Sequence, residues 1–195
     1  MNGERKFSVN EDVKKACEVM EAGGVILYPT DTIWGIGCDA TNEEAVKRVY
    51  EIKKRADSKA LIVLVDSPVK VDFYVKDVPA IAWDLLEVAD KPLTIIYSGA
   101  RNLAPGLLAE DGSVGIRLTT EEFSRKLCQR FRKAVVSTSA NVSGRPSPAN
   151  FGEIPEEIKS QVDYIVGYRQ DDTSRPSPSS IIKVEPGGVV KIIRA

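Results

Sequence analysis

The chain of 195 residues contains no histidine. That absence removes the Ser-His-Asp and Cys-His nucleophile schemes, the HExxH metalloproteases and most transition-metal centres. Cysteine is scarce as well. Cys17, Cys38 and Cys128 are odd in number, widely spaced and form no CxxC pair, a pattern that fits reduced thiols better than a disulfide framework or a zinc site. Long apolar runs are also missing. The longest, Leu61 to Val65, falls far short of the roughly 20 residues a membrane-spanning helix needs. The polar start MNGERKFSVNED lacks a signal-peptide core, so the expected location is the cytoplasm, with no membrane partner. Charge of one sign is missing too. Lys plus Arg (27) nearly balances Asp plus Glu (28), which leaves nucleic acid only a local patch.

What is present suits one α/β domain over residues 1–195: the length allows a sizeable core, and 43% of the residues are hydrophobic. The pattern predicts a first helix capped by Asn10, with Val13, Ala16, Cys17 and Met20 buried and Gly23-Gly24 stopping it. Val25 to Tyr28 reads as a strand. Thr41 with Glu44 reads as a capping box opening a second helix, whose buried stripe is Ala45, Val46, Val49 and Ile52. Further strands are expected at 61–65, 93–97, 114–118, 135–137, 164–166, 181–184 and 189–193, with helices near 78–89, 121–132 and 153–161. The expected architecture is a twisted mixed β-sheet with helices packed on its faces and the last two strands paired as a hairpin.

Three polar loops stand out. In Pro29-Thr30-Asp31-Thr32-Ile33-Trp34-Gly35-Ile36-Gly37 three short oxygen-bearing side chains follow a strand, which suits a turn as well as a site. Gly35-x-Gly37-x-x-Ala40, with Asp57 downstream, imitates a dinucleotide fingerprint, but the fingerprint places its first glycine directly at the strand end, and here TDTIW intervenes. The second loop, Lys53-Lys54-Arg55-Ala56-Asp57-Ser58-Lys59, is a cationic helix end, either a solvated complement to the helix dipole or a set of cations facing a ligand. The third, Ser137 to Pro148, is a hydroxyl-rich turn. Its tetrapeptide Arg145 to Pro148 recurs as Arg175 to Pro178, and either copy can serve as a loop or as a ligand cover.

PTDTIWGIG, the Lys53-x-Arg55 pair and Ser139-Ala140-Asn141, in this order and spacing, resemble the hallmark motifs of the YrdC family, the short-form threonylcarbamoyl-AMP synthases of tRNA modification. The likeness runs from about residue 8 to Arg194 and matches the form without a C-terminal accessory domain, rather than the larger hydrogenase-maturation carbamoyltransferases. It implies condensation of L-threonine, bicarbonate or carbon dioxide, and ATP with Mg2+, giving threonylcarbamoyl-AMP and pyrophosphate. The product would pass to a partner enzyme that modifies tRNA. By family position, Lys53 and Arg55 bind the nucleotide phosphates and carry the catalytic charge. Ser139, Asn141 and Arg194 hold ATP, and Thr30, Arg117 and Ser179 hold threonine. No protein metal ligand is implied.

Several positions depart from the family pattern. Trp34 stands where tyrosine is frequent, and Ala56 replaces a proline. Asp90 to Thr94 lacks the tryptophan and glycine of WPGPLT, and Arg117-Leu118-Thr119 lacks the usual proline. The departures bear on substrate contacts and loop stiffness more than on the fold. The alternative reading is a non-enzymic RNA-binding module whose concave basic surface comprises Lys53, Lys54, Arg55, Lys59 and the arginines at 101, 117, 145 and 175. The near-zero net charge and the lack of an aromatic RNP pattern count against it.

Overall fold

The computed structural model describes residues 8–55 and 61–195. The expectations placed on Ala56, Asp57 and Lys59 lie outside the described residues. Nine strands form one sheet: β1 (Ile26–Tyr28), β2 (Gly35–Gly37), β3 (Ile62–Val65), β4 (Leu93–Tyr97), β5 (Val114–Leu118), β6 (Val135–Ser139), β7 (Tyr164–Ile165), β8 (Ser180–Val184) and β9 (Val190–Arg194). Their order is β7-β1-β2-β6-β3-β5-β4-β8-β9. The β7–β1, β3–β5 and β4–β8 pairs are parallel and the other neighbours antiparallel, so the sheet is mixed, as expected. The α-helices of the described residues are α1 (Val9–Glu21), α2 (Glu43–Lys53), α3 (Pro68–Tyr74), α4 (Ala80–Val88), α5 (Glu122–Phe131) and α6 (Glu156–Lys159). Among the described residues no helix is long and apolar enough to cross a membrane.

Local chemistry corrects several boundaries. Asn10 lies inside α1, whose N-cap is Ser8. The first turn is fixed instead by the buried Asp12, which accepts hydrogen bonds from the Tyr164 hydroxyl and from the amides of Gly167 (3.2 Å) and Tyr168 (2.9 Å). Thr41 and Glu44 do not form a capping box. Thr41 donates both its amide and its hydroxyl to the buried Asp39 carboxylate, and Asn42 caps α2 by accepting from the Ala45 amide at 3.1 Å. The helix expected near 153–161 is broken by Pro155 into a 3₁₀ turn, Phe151–Glu153, and the single turn of α6. α3 went unpredicted because seven residues offer too little periodicity to read.

The core lies between sheet and helices, with Val13, Ala16, Cys17 and Met20 of α1 and Ala45, Val46, Val49 and Ile52 of α2 buried as predicted. All three cysteines are buried free thiols, and burial pushes the Cys17 thiol up to about 11. β2, the strand hidden inside the PTDTIWGIG loop, pairs with β1 and β6. A Cβ on its Gly37 would sit 2.5 Å from the Tyr28 ring and 2.7 Å from the Val136 carbonyl oxygen. Gly37 is therefore a packing glycine, not part of a phosphate-binding turn. That contact seats the turn Thr30 to Trp34 beside the end of β6.

Candidate active site

The three polar segments converge on one cavity of about 580 Å3, within the roughly 300–1,000 Å3 typical of small-molecule sites. Thr32 to Gly35 enter from the β1–β2 turn, Arg55 from just beyond α2, and Ser137 to Ser139 from β6. β6 runs two residues further than expected, so the Ser-Ala-Asn segment starts on a strand end paired with β2. The far part of the sheet contributes Thr94, Arg117, Ser179 and Arg194. Both Pro-Ser loops reach the rim through Ser147 and Ala149 from one and Pro176 and Pro178 from the other.

The family-assigned residues divide into two groups. Arg55, Arg117, Ser139, Ser179 and Arg194 line the cavity, whereas Thr30, Lys53 and Asn141 stand behind its lining. The Thr30 hydroxyl donates to the Ile33 carbonyl at 2.7 Å and accepts from the Thr32 amide at 3.1 Å, bonds that hold the turn. Thr32, on the wall, is the outward member of that pair. The Lys53 ammonium donates to the main-chain carbonyls of Ser139 and Asn141 (2.8 Å to the latter) and to Asn141 Oδ1 at 3.4 Å. Burial, with a smaller contribution from Arg55, pushes its pKa down to about 8. Asn141 Nδ2 donates to the carbonyls of Val142 (3.1 Å) and Arg145 (2.8 Å).

Arg117 is buried beside Asp31, with Nε and Oδ1 3.0 Å apart. The contact is coulombic in character, because the N–H is not aimed along a hydrogen-bond direction. Burial lowers the Arg117 pKa and raises that of Asp31, while each partner opposes the shift of the other. Arg117 lies opposite Leu64 in the parallel β3–β5 pair and opposite Thr94 of β4, and Asp31 meets it from the turn between β1 and β2. Ser179 shares a 2.9 Å hydroxyl contact with Thr94, and its carbonyl accepts both Nε (2.9 Å) and Nη2 (2.7 Å) of Arg194. Trp34 packs against Phe151 with ring centroids 4.9 Å apart, so the ring that replaces a frequent tyrosine serves as a wall.

Ser137 and Thr138 were singled out only as part of the hydroxyl-rich third segment, without a ligand role, and Thr94 was not predicted as a site residue. For Thr94 the sequence offered only a place within a strand, since which strand ends share a cavity depends on sheet order. Most of the described basic residues of the RNA-binding alternative are buried or internally bonded. Arg117 and Lys53 are buried, Lys54 and Arg145 pair with Glu157, Arg175 pairs with Glu153, and Arg101 bonds the carbonyls of Asp72 and Phe73. That reading is not favoured.

Comparison with known proteins identifies the family. The Sua5/YciO/YrdC family model, described as "Telomere recombination", matches residues 18–195. The threonylcarbamoyl-AMP synthase of Pseudoalteromonas translucida is 32% identical over 174 residues, covering 88% of this chain and 93% of that protein. The threonylcarbamoyl-AMP synthase of Stutzerimonas stutzeri is 32% identical over 180 residues, covering 92% of this chain and 96% of that protein. Among solved structures, P. abyssi Sua5 complexed with L-threonine superposes with a TM-score of 0.80 at 23% identity over 92% of this chain. This chain spans 52% of that Sua5 chain, and the likeness at such identity is one of fold. With a family model over most of its length and curated relatives along nearly all of it, the chain belongs to the Sua5/YciO/YrdC family.

Proposed function

We propose that this protein is a threonylcarbamoyl-AMP synthase that joins L-threonine, bicarbonate or carbon dioxide, and ATP, releasing pyrophosphate. The observation that carries the reading is the single cavity that collects Arg55, the hydroxyl-rich end of β6 and the Asp31-paired Arg117, with no carboxylate among its described lining residues. Such a wall suits anionic ligands. The threonine amine adds to carbon dioxide and loses a proton, giving a carbamate. A carbamate oxygen then attacks the α-phosphorus, and the bond to the pyrophosphate oxygen breaks. Neither step needs an imidazole, which accords with the missing histidine.

The protein's task is to bring two anions together and hold them in line. Arg55 offsets charge on the phosphates, and charge placed in advance at such a centre stabilises the transferring group. Orientation contributes further, on the order of 7 to 11 kcal/mol in favourable intramolecular cases. By family position Ser139 and Arg194 serve ATP, and Ser179 and Arg117 serve threonine, where a guanidinium suits a carboxylate; the Arg194–Ser179 bonds bring the two sets together. Lys53, Asn141 and Thr30 complete the proposed set from behind the wall. Among the described residues no group of three or more acidic, histidine or cysteine side chains can hold a metal. Magnesium fits this cation-lined site as a partner of the ATP phosphates, held by their oxygens and water. It would supply charge neutralisation on the triphosphate. A cytoplasmic location and transfer of the adenylate to a tRNA-modifying enzyme follow from the same reading.

The test is pyrophosphate release from ATP and magnesium with and without L-threonine and bicarbonate, with mass detection of the adenylate. Release that requires both co-substrates, with threonylcarbamoyl-AMP present, is expected. Pyrophosphate release independent of threonine, or folded protein that fails to bind ATP, would overturn the reading.

A further inference from the structure

Lys53 ends α2, its main-chain carbonyl accepts the Ser143 amide at 2.8 Å, and its side chain is buried. An ammonium has three donors and no acceptor, and all three are engaged by acceptors of one short segment: the carbonyls of Ser139 and Asn141 and the side-chain oxygen of Asn141. Asn141 in turn bonds the carbonyls of Val142 and Arg145, while its own amide donates to Ser139 at 2.9 Å. Gly144, at φ +84°, provides the left-handed step that lets the segment turn back. The whole of 139–145 is thus wound around one side chain. The cavity wall receives Ser139 from this segment and Arg55 from two residues beyond Lys53, but not Lys53 itself.

We propose that Lys53 is a positioning residue that fixes the 139–145 segment against the end of α2, so that Ser139 and Arg55 keep a constant separation across the cavity, and that it does not contact the phosphates. The ammonium is solvated by carbonyl dipoles in place of water, which favours its charged form against the burial that disfavours it. Moving it to a phosphate would strand both Asn141 oxygens and leave the Ser139 carbonyl with the Asn141 amide alone. The proposal rests on the synthase reading for its consequence in catalysis, but not for its structural test.

The test begins with substrate-free protein. In Lys53→Met the amides of Asn141, Ser143 and Arg145 are expected to exchange with deuterated solvent about tenfold faster or more, while those of β3 and β5 keep their wild-type rates. If the variant does not fold, wild-type protein gives the answer through acylation of the Lys53 amine by an amine-reactive ester. A positioning lysine reacts slowly without ATP, and ATP leaves its rate unchanged; a phosphate ligand reacts readily and is protected by ATP. In turnover, the positioning role raises the ATP KM of Lys53→Met more than it lowers kcat. A kcat loss on the order of 10²–10³-fold, of the size seen when a direct transition-state donor is removed, together with unchanged loop exchange, would overturn the proposal. If the protein proved to have another activity, the exchange and acylation outcomes would still stand or fall separately.

Discussion

Lys53 and Arg117 are both buried cations beside the same cavity, 1% and 3% exposed, yet their charges are accommodated in different ways. Arg117 faces a carboxylate, Asp31, 3.0 Å away, so the pair is neutral as a unit and the guanidinium keeps its proton at any working pH. Among the described residues Lys53 donates to carbonyl and amide oxygens, so its charge is stabilised by dipoles and can be lost by titration. The difference separates two tasks. A permanent cation on the cavity wall can meet a ligand carboxylate or phosphate, whereas a cation wrapped in backbone acceptors organises the chain that supplies other ligands. Sequence motifs alone treat Lys53 and Arg55 as one basic pair, and the structure places them on different sides of the wall.

The largest effect is expected from breaking the ion pair. Arg117→Met leaves Asp31 buried without its cation, and removal of one partner of a buried pair costs about 3–5 kcal/mol, to be read as a fall in unfolding free energy by urea denaturation. The double variant Arg117→Met/Asp31→Asn should recover a large part of that loss, yet regain no threonine-dependent turnover. Equal destabilisation by the single and double variants would show that the carboxylate is accommodated without Arg117.

The second prediction is a pH signature read as the difference between wild type and Lys53→Met. Its folded pKa of about 8 lies below the ordinary lysine value of 10.5, through burial and then Arg55. Between these values the unfolded chain binds one more proton than the folded chain. By linkage, the unfolding free energy contributed by this group then rises with pH across that window, and its penalty is fully present below about 8. Turnover should move the other way, falling as the ammonium that holds 139–145 loses its proton. The three buried cysteines, whose thiols burial pushes up, make stability fall with rising pH in wild type and variant alike, so the expected result lies in the difference: the unfolding free energy of wild type minus that of Lys53→Met rises between pH 8 and 10.5, while the wild-type advantage in turnover falls. A flat difference in stability would assign the titration elsewhere.

Much of the scaffold was legible because its signals are local. The stripe Ala45, Val46, Val49 and Ile52 and the β8–β9 hairpin rest on residues a few positions apart, and both are present. The caps were misread because Asp12 and Asp39, polar residues in sequence, are buried and bonded to neighbours. Asp39 takes up Thr41 and leaves the cap to Asn42, while Asp12 reaches the distant residues after β7. β2 was hidden because a three-residue strand with two glycines looks like a turn until Tyr28 and Val136 close over Gly37. The motifs converge on one cavity, but the Asp31–Arg117 contact could not be read from them. It depends on the order of strands in the sheet, and no spacing along the chain encodes that order.

Removing the Ser179 hydroxyl is a smaller perturbation on the Arg117 side. Ser179→Ala leaves the buried Thr94 hydroxyl without the partner it meets at 2.9 Å, an effect of about 1 kcal/mol. The Ser179 carbonyl that Arg194 grips is untouched, so the cavity should keep its shape. A modest loss in unfolding free energy with a raised threonine KM is expected; unchanged threonine KM would remove this hydroxyl from the ligand side.

The smallest effect is expected at the surface, where the comparison can be sharpened by contrast. Glu157 pairs with both Lys54 and Arg145 and so also bridges the end of α2 to the 139–145 segment, the same two elements that Lys53 joins from within. Here the cations are largely exposed, and water and salt screen the attraction. Glu157→Gln should leave the thermal midpoint within measurement error and increase the exchange of the Ser143 and Arg145 amides far less than Lys53→Met does. Comparable loosening by the two variants would mean that the segment is held from outside as much as from inside, and the buried ammonium would lose its special place in organising the wall.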